Sequence, residues 1–204
     1  MKKYELTSET KVINGVRLHR IKAIESFGRV EKGELGGWIE SEKNLSQNGD
    51  AWVCGNAMVY DYATVSGNAT VCGNATVCGY AVVSGNAMIR GNATVRGNAT
   101  VCGHARVNRN ATVEHNAKVY GNAAISENAK VRGTADYIVF KNWWSSGRYF
   151  TWTRSNNKWK VGCFYGSGEE LIAKAYKDSE KSGREYERVV KYVESIMEEE
   201  NNNK

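Results

Sequence analysis

The chain has 204 residues, which is enough for one large or two small domains, and it contains no proline. Its net charge of +6 is spread along the sequence and forms no polybasic tail, so charge alone does not indicate a nucleic-acid partner. No apolar run reaches the roughly 18 residues of a membrane span, and the opening segment MKKYELTSET lacks the apolar stretch of a secretory signal. We therefore expect a cytoplasmic protein with no membrane partner.

The first predicted element is an antiparallel β-hairpin inside an N-terminal β cap at 1–32. Asn14 and Gly15 separate two apolar-rich segments, 11–13 and 16–21. Asn-Gly readily adopts the positive φ values that a two-residue hairpin turn requires. The sequence therefore predicts two strands joined by a tight turn.

Residues 33–50 are predicted to form an irregular first coil of the repeat that follows. Ile39 and Leu45 already fall in the six-residue frame of that repeat. The bulkier side chains of this segment, Trp38 among them, suit a cap over an otherwise unpaired strand edge.

From Ala51 to Ala135 alanine recurs every six residues, fifteen times, and Val or Ile stands two residues after each alanine except the last, where Tyr137 stands. Alternate residues of a strand point to opposite sides, so Ala and Val are predicted to point inward and the residues between them outward. The intervening Gly-Asn is typical of a corner, because both residues tolerate backbone conformations that others avoid. Three such sides close a coil of eighteen residues, and fifteen repeats make about five coils stacked ~4.8 Å apart.

This Gly-Asn-Ala-x-Val-x pattern resembles the left-handed parallel β-helix of hexapeptide-repeat proteins, in the variety common in bacterial and prophage proteins. The segment 33–46 resembles the lead-in of those proteins. The left hand is implied by the resemblance, since the periodicity itself predicts only a three-sided coil. We predict a mainly β fold: a three-sided β-helix over 33–136, preceded by the N-terminal cap and followed by a small α+β domain over 137–204.

The C-terminal domain is predicted to contain three strands, at 137–140, 149–153 and 158–164, followed by two helices. Ser167 with Glu170 and Ser182 with Glu185 match the capping box at a helix N-terminus. The Gly-Cys-Phe-x-Gly motif at 162–166 resembles that of domains that follow such solenoids in phage-type proteins.

The same family resemblance raises an enzymatic alternative, since hexapeptide solenoids include trimeric acyltransferases with a catalytic histidine. His104 and His115 replace corner residues and are the runner-up catalytic residues. We favour a turn role for both, because no loop interrupts the coil between 51 and 136. With His19, the three histidines do not form a zinc site typical of carbonic anhydrases of this fold.

The cysteines show no CxxC or Cys/His spacing of a metal site, and four of them share a repeat position with Ser66 and Ser84. We interpret those four as interchangeable small surface residues, which fits a reducing bacterial cytoplasm. The five cysteines are Cys54, Cys72, Cys78, Cys102 and Cys163.

Three sets of outward positions are candidates for binding or for stabilising stacks. An uncharged face, predicted to dock a second protomer or a partner, combines Thr64, Ser66, Val82, Ser84, Thr100 and Cys102, followed by Lys118 and Tyr120. A second patch combines exposed Trp52 and Met88. Asn56, Asn74, Asn92, Asn110 and Asn128 form an amide ladder, and Arg96, Glu114 and Arg132 form a charge ladder; we interpret both as stabilising.

The C-terminal domain also places tryptophans among basic residues. Such a cluster either clamps single-stranded nucleic acid or a nucleotide, or arises because Trp fills a small core while Lys and Arg alternate outward. The candidate binding residues are Trp144, Arg148, Trp152, Arg154 and Lys158.

Together these patterns predict a non-enzymatic binding or assembly protein of phage or prophage type, a rigid β-solenoid presenting a small recognition domain that acts on a host component. An acyltransferase-like enzyme and a nucleic-acid or nucleotide binder are the alternatives. We expect a homo-oligomer, a dimer or a trimer, with a host protein as a further partner and with neither a cofactor nor a metal.

Overall fold

The computed structural model of the chain describes residues 2–203 and divides into two compact units. The solenoid unit runs to Ile138 and includes Thr153–Asn156. The C-terminal unit consists of Val139–Trp152 and the chain from Asn157 onward. No helix of the described residues is long and apolar enough to span a membrane.

The N-terminal hairpin forms as predicted and continues into the solenoid. Strands β1 (Tyr4–Ile13) and β2 (Val16–Ala23) pair antiparallel, and the turn has φ of 51° at Asn14 and 83° at Gly15. Strand β3 (Leu35–Ile39) pairs antiparallel with β2 on one edge and parallel with β5 (Met58–Val59) on the other. The hairpin is therefore the outer part of a solenoid sheet.

The repeat folds into a three-sided parallel β-solenoid of about five turns, as the period predicts. Each side of a coil is a two-residue strand, and its partner lies eighteen residues away in the next coil. Sheet 1 contains β1, β2, β3, β5, β8 (Thr76–Val77), β11 (Thr94–Val95), β14 (Thr112–Val113) and β17 (Lys130–Val131). Sheet 2 contains β4 (Trp52–Val53), β7 (Thr70–Val71), β10 (Met88–Ile89), β13 (Arg106–Val107) and β16 (Ala124–Ile125). Sheet 3 contains β6 (Thr64–Val65), β9 (Val82–Val83), β12 (Thr100–Val101) and β15 (Lys118–Val119).

The solenoid core consists of the predicted Ala and Val or Ile positions. Every repeat alanine from Ala51 to Ala129 is at most 1% exposed, as is every Val or Ile two residues later. Ala135 was predicted to continue this row and does not, since it is exposed in a short 3-10 helix at Thr134–Asp136. The repeat ends at this helix, and the hydroxyl of Tyr137, the next residue, donates to the Lys118 carbonyl at 3.0 Å.

At the corners, the Gly position and not the Asn position carries the positive φ. Where another residue replaces that Gly the backbone keeps the same conformation, with φ of 57–61° at Asp61, Arg109, His115 and Glu127. The Asn ladder is confirmed, because consecutive side chains from Asn56 to Asn128 donate and accept amide hydrogen bonds of 3.0–3.3 Å along the stack.

The first coil is covered by the N-terminal segment. The Lys3 ammonium donates to the carbonyls of Gly49 and Ala51 at 2.8 and 2.9 Å. Trp52 is only 3% exposed because the rings of Tyr4 and Phe27 pack against it edge-on. The predicted surface patch of Trp52 and Met88 is therefore wrong: Trp52 belongs to the core.

The strands of the C-terminal region form a four-stranded sheet, β18 (Tyr137–Lys141), β19 (Tyr149–Thr153), β20 (Lys158–Val161) and β21 (Phe164–Gly166), in that order. The single strand predicted at 158–164 is instead a hairpin, β20 and β21. Gly162, at a φ of 54°, allows the chain to reverse there.

Two helices follow, α1 (Gly168–Asp178) and α2 (Glu180–Asn202). The capping box of Ser167 and Glu170 is confirmed, with hydrogen bonds of 2.7 and 3.2 Å. The predicted cap of α2 is wrong, because Ser179 caps it by accepting from the Ser182 amide at 3.1 Å. Only Ser179 separates the helices, so Ser182 already lies in the first turn of α2.

Candidate functional site

The uncharged face predicted from the sequence lies on sheet 3. Thr64, Val82 and Thr100 are in direct register on β6, β9 and β12. Ser66, Ser84 and Cys102 form the second row beside them, and all six side chains are half-buried. We call these six residues the small-residue face. Lys118 and Tyr120 follow on the next coil and are exposed.

The small-residue face is bordered by an aromatic stack that the sequence analysis missed. Tyr62 and Tyr80 occupy the corner that leads into β6 and β9, and their rings stack 4.8 Å apart at an interplanar angle of 5°. They are 71% and 61% exposed. Each replaces a corner Asn, and their spacing of eighteen residues was a signal available in the sequence.

An exposed tyrosine pair beside a flat β surface has the composition of a protein contact surface. Tyr is enriched at interfaces because it buries a large area and has few rotamers to immobilise. Stacking holds the two rings in one arrangement before any partner arrives, which lowers the entropic cost of binding. The small-residue face adds short side chains and no formal charge that must be desolvated.

On sheet 1 the charge ladder forms as predicted. The Glu114 carboxylate, whose side chain is 6% exposed, accepts from Arg132 Nε at 3.0 Å and from Arg96 Nε at 2.9 Å. These hydrogen bonds lower the pKa of Glu114, with the Arg132 bond as the larger cause, against an opposing effect of burial. The ladder satisfies a buried charge and has the chemistry of a stabilising stack.

The two histidines proposed as runner-up catalytic residues lie at different corners. His104 is exposed on the corner between β12 and β13. His115 is exposed between β14 and β15, with its Nδ1 3.9 Å from Glu114 Oε1. His19 lies on β2 near the Thr7 carbonyl. These positions do not bring the histidines to a common site, and residues 2–203 hold no cluster of side chains suited to a metal ion.

The predicted Trp and Arg cluster is divided by the fold. Trp152 is 2% exposed in the core, with its indole N–H donating to Asn157 Oδ1 at 2.8 Å, so it offers no stacking surface and its candidate binding role is wrong. Trp144 packs edge-on against Phe150 and Tyr186. Arg154 belongs to the solenoid unit, where it donates to the Ala135 carbonyl at 3.1 Å.

Two basic candidates of that cluster remain at the surface of the C-terminal unit. Arg148 is exposed, and Lys158 lies 4.0 Å from the Glu170 carboxylate. Trp143, which was not among the selected binding residues, is the exposed tryptophan here, at 74%. The described residues therefore show dispersed positive charge and no continuous aromatic platform for a nucleic-acid strand.

The cysteines do not behave as one class. Cys54 and Cys72 are joined as a disulfide between neighbouring coils, with Cα atoms 4.7 Å apart. These two were predicted to be interchangeable small surface residues with free thiols, and the pairing departs from the free thiols of that prediction. Identical repeat positions on stacked strands bring their side chains together. Cys102 contributes to the small-residue face, and burial raises the pKa of the Cys78 thiol.

Comparison with known proteins supports the repeat assignment. Residues 51–67, 63–79 and 69–85 match a family model described as the YdcK beta solenoid repeat. These segments lie within the regular coils, and together with the parallel sheets they identify a β-solenoid repeat protein. A search of curated proteins found no sequence that matches the chain.

Proposed function

We propose that this β-solenoid repeat protein is a non-enzymatic binding protein that associates with a second copy of itself through the small-residue face and the Tyr62–Tyr80 stack. The observation that carries the proposal is the position of an exposed, pre-stacked tyrosine pair along the border of a flat, uncharged sheet. The solenoid acts as a rigid scaffold for that surface, because its core positions are uniformly buried.

Lateral association fits the way the strand edges of the solenoid are used. At the C-terminal end the Lys130 amide donates to Ser155 Oγ at 2.7 Å, and the Tyr137 hydroxyl donates to the Lys118 carbonyl. At the other end the hairpin extends sheet 1. At the C-terminal end these two hydrogen bonds occupy groups that an added strand would need, which favours contact through a face over contact by strand addition there.

The phage-type setting implied by the sequence resemblance is part of the proposal. A rigid oligomer would present several C-terminal units at once, and linked binding modules raise the apparent affinity for a multivalent host component.

The test places a charge on the small-residue face and on a matched position elsewhere. Thr100→Arg puts a guanidinium in the middle of the face, whereas Thr70→Arg makes the same change in the same repeat position on sheet 2. Light scattering of the wild-type chain should give a dimer or a trimer of the 22.6 kDa protomer. Thr100→Arg should give monomers, and Thr70→Arg should leave the oligomer intact.

A second variant tests the aromatic border. Tyr62→Ala should weaken association about tenfold or more, as interface tyrosines in well-packed positions do. Tyr192→Ala, which removes a 58% exposed tyrosine from α2, should leave association unchanged. A wild-type protein that stays monomeric at high concentration would contradict the proposal, as would equal effects of Thr100→Arg and Thr70→Arg.

A further inference from the structure

A cleft of about 670 Å³ opens within the C-terminal unit, independently of the small-residue face. Its walls are the loop at 142–148, the turn between β20 and β21, and one side each of α1 and α2. The volume lies within the roughly 300–1,000 Å³ of typical small-molecule sites. All lining residues belong to the C-terminal unit, so the cleft is complete within it.

Two cationic side chains line the cleft without an ion-pair partner. Among residues 2–203, neither Arg148 nor Lys174 has a carboxylate within 4.0 Å, whereas Lys191 and Arg188 on the neighbouring helix α2 are paired with Glu187 and Glu185. Asp178 is the one acidic residue of the lining, which leaves a net charge of +1. The cleft is thus electrostatically suited to an anion.

The position of Arg148 depends on the glycine of the hairpin turn. A Cβ at Gly162 would lie 3.5 Å from Arg148 Nη1, so the guanidinium rests against the turn at van der Waals distance. Gly162 has a φ of 54°, a conformation that other residues adopt at a cost. The same turn therefore reverses the strand and supports the guanidinium at the cleft.

A buried amide holds the loop that carries Arg148. Asn142, at 2% exposure, donates from its backbone to the Arg148 carbonyl at 2.7 Å and accepts at Oδ1 from the Ser145 amide at 2.9 Å. Its Nδ2 donates to the Tyr186 hydroxyl at 3.2 Å. Because that phenol oxygen already accepts a hydrogen bond from the amide, its own hydrogen is available to a ligand.

Hydroxyl and aromatic groups complete the lining. Ser145, Ser146 and Ser182 bring three further hydroxyl donors. Phe164 is half-buried, and the register of β20 and β21 places it on the same face of the sheet as the buried Trp159. Arg, Lys and hydroxyl groups donate to an acceptor-only anion, and Arg and Lys are the side chains that bind phosphate most readily. The half-buried Phe164 ring suits the organic part of a ligand.

We propose that this cleft binds a small organic phosphate, with Arg148 and Lys174 on the phosphate, the Tyr186 hydroxyl as a further donor, and the Phe164 ring against the organic moiety. Asp178 accepts from a hydroxyl of the ligand. The site is a binding site, and no bond is made or broken in it.

Isothermal titration calorimetry of the full chain tests the assignment with four probes: AMP, ribose 5-phosphate, adenosine and inorganic phosphate. The two phosphate esters should bind saturably at one site per chain. Adenosine should bind at least tenfold more weakly than AMP, because it lacks the group that the two cations recognise. Inorganic phosphate should also bind more weakly than AMP, because it makes no contact with the Phe164 ring.

Variants then separate the cleft from the remaining positive surface. Arg148→Gln and Lys174→Gln should each weaken AMP binding at least tenfold. Lys177→Gln is the matched control, since Lys177 lies on the same helix, is exposed and does not line the cleft, and its effect should stay below twofold. Tyr186→Phe keeps the ring in place and should weaken binding three- to tenfold. Thermal melting of each variant shows whether it is folded. If Arg148→Gln does not fold, Lys174→Gln still tests the proposal, because Lys174 is at an exposed position of the helix.

Absence of saturable binding of either ester at millimolar concentration would overturn the proposal. Equal losses for Lys177→Gln and Lys174→Gln would show attraction to general positive charge and would overturn it too. If adenosine bound as tightly as AMP, the phosphate would not contribute to the affinity, which would contradict the proposal. If inorganic phosphate bound as tightly as AMP, the Phe164 ring would not contribute to the affinity, which would also contradict it.

Discussion

Each coil of the solenoid buries three alanines and three Val or Ile side chains, whereas the C-terminal unit buries a few large rings, with Phe150, Trp152 and Trp159 at 0–2% exposure. In the solenoid the same small residues recur in every coil, so each coil contacts only its neighbours and its outer positions vary freely. In the C-terminal unit each ring has its own partners and no position repeats. The repeated arrangement produces flat outer faces, whereas the C-terminal unit has a concave cleft.

The aromatic core of the C-terminal unit should be the more vulnerable of the two. Phe150→Ala is expected to cost about 3–5 kcal/mol, because it removes a fully buried ring and leaves a cavity. The ring centroids of Phe140, Trp144, Trp159 and Tyr186 lie 5.1–6.1 Å from that of Phe150, all inside the same unit. Hydrogen exchange should therefore show lost protection in the C-terminal unit and unchanged protection in the solenoid.

The matched change in the solenoid is Ile89→Val, which removes one methyl group from a fully buried position. It should cost about 0.5–1.5 kcal/mol. Loss of exchange protection in the solenoid upon Phe150→Ala would show that the two cores are energetically coupled, contrary to the expectation.

The charge ladder of Arg96, Glu114 and Arg132 should make the stability of the solenoid unit depend on pH. Glu114→Gln should lower the free energy of unfolding at pH 7 by about 1–3 kcal/mol, the range for hydrogen bonds to charged groups. The folded-state pKa of Glu114 lies below its unfolded value, so its contribution is present above the unfolded pKa and is lost as the pH falls through the folded pKa.

Urea unfolding of the wild-type protein and of Glu114→Gln should therefore be measured at pH 7 and near pH 3. The difference between their free energies of unfolding should be smaller at the lower pH. Glu127→Gln serves as the control, since the Glu127 side chain is 30% exposed and its partner Arg109 is 65% exposed. That pair should contribute less than about 1 kcal/mol. If the difference in free energy of unfolding between wild type and Glu114→Gln did not change with pH, the stabilising role assigned to the Glu114 carboxylate would be contradicted.

The smallest expected effect has the opposite sign. His115 holds a φ of 61° at a corner position that is glycine in most coils, so His115→Gly should relieve backbone strain and stabilise the solenoid by about 0.5–1 kcal/mol. Asn116→Gly is the neighbouring control: it removes an acceptor for Asn98 Nδ2 at 3.1 Å and should destabilise. Thermal melting distinguishes the two, and a lower melting temperature for His115→Gly would mean that the imidazole makes a stabilising contact.

Prediction from the sequence succeeded where an interaction repeats or is local. The hairpin turn at Asn14 and Gly15, the capping box at Ser167 and the amide ladder depend on neighbours in the chain or at a fixed spacing of eighteen residues. Glu114 is the same kind of case, since both of its arginine partners are eighteen residues away.

Several of the errors have a different physical origin, because they depend on how the finished fold packs particular side chains. The Cys54–Cys72 pair and the Tyr62–Tyr80 stack are exceptions, since each joins residues eighteen positions apart. Trp52 stands at an outward position and is buried because the N-terminal segment packs over it. Ala135 stands at an inward position of the repeat frame and is exposed because the chain leaves the repeat there in the 3-10 helix Thr134–Asp136. Trp152 was assigned to either surface or core, and only the packing of the C-terminal unit placed it in the core.

The sequence by itself determined the coil: six-residue spacing, strand alternation and glycine at the corners permit few arrangements that bury every alanine. The left-handed winding remains a prediction of the family resemblance. Tertiary structure alone gathered Arg148, Lys174 and Tyr186 around one cleft, whereas the stack of Tyr62 on Tyr80 follows an eighteen-residue spacing that the sequence already contains. Burial of apolar side chains follows from local periodicity, but a binding surface depends on which distant side chains the finished fold brings together.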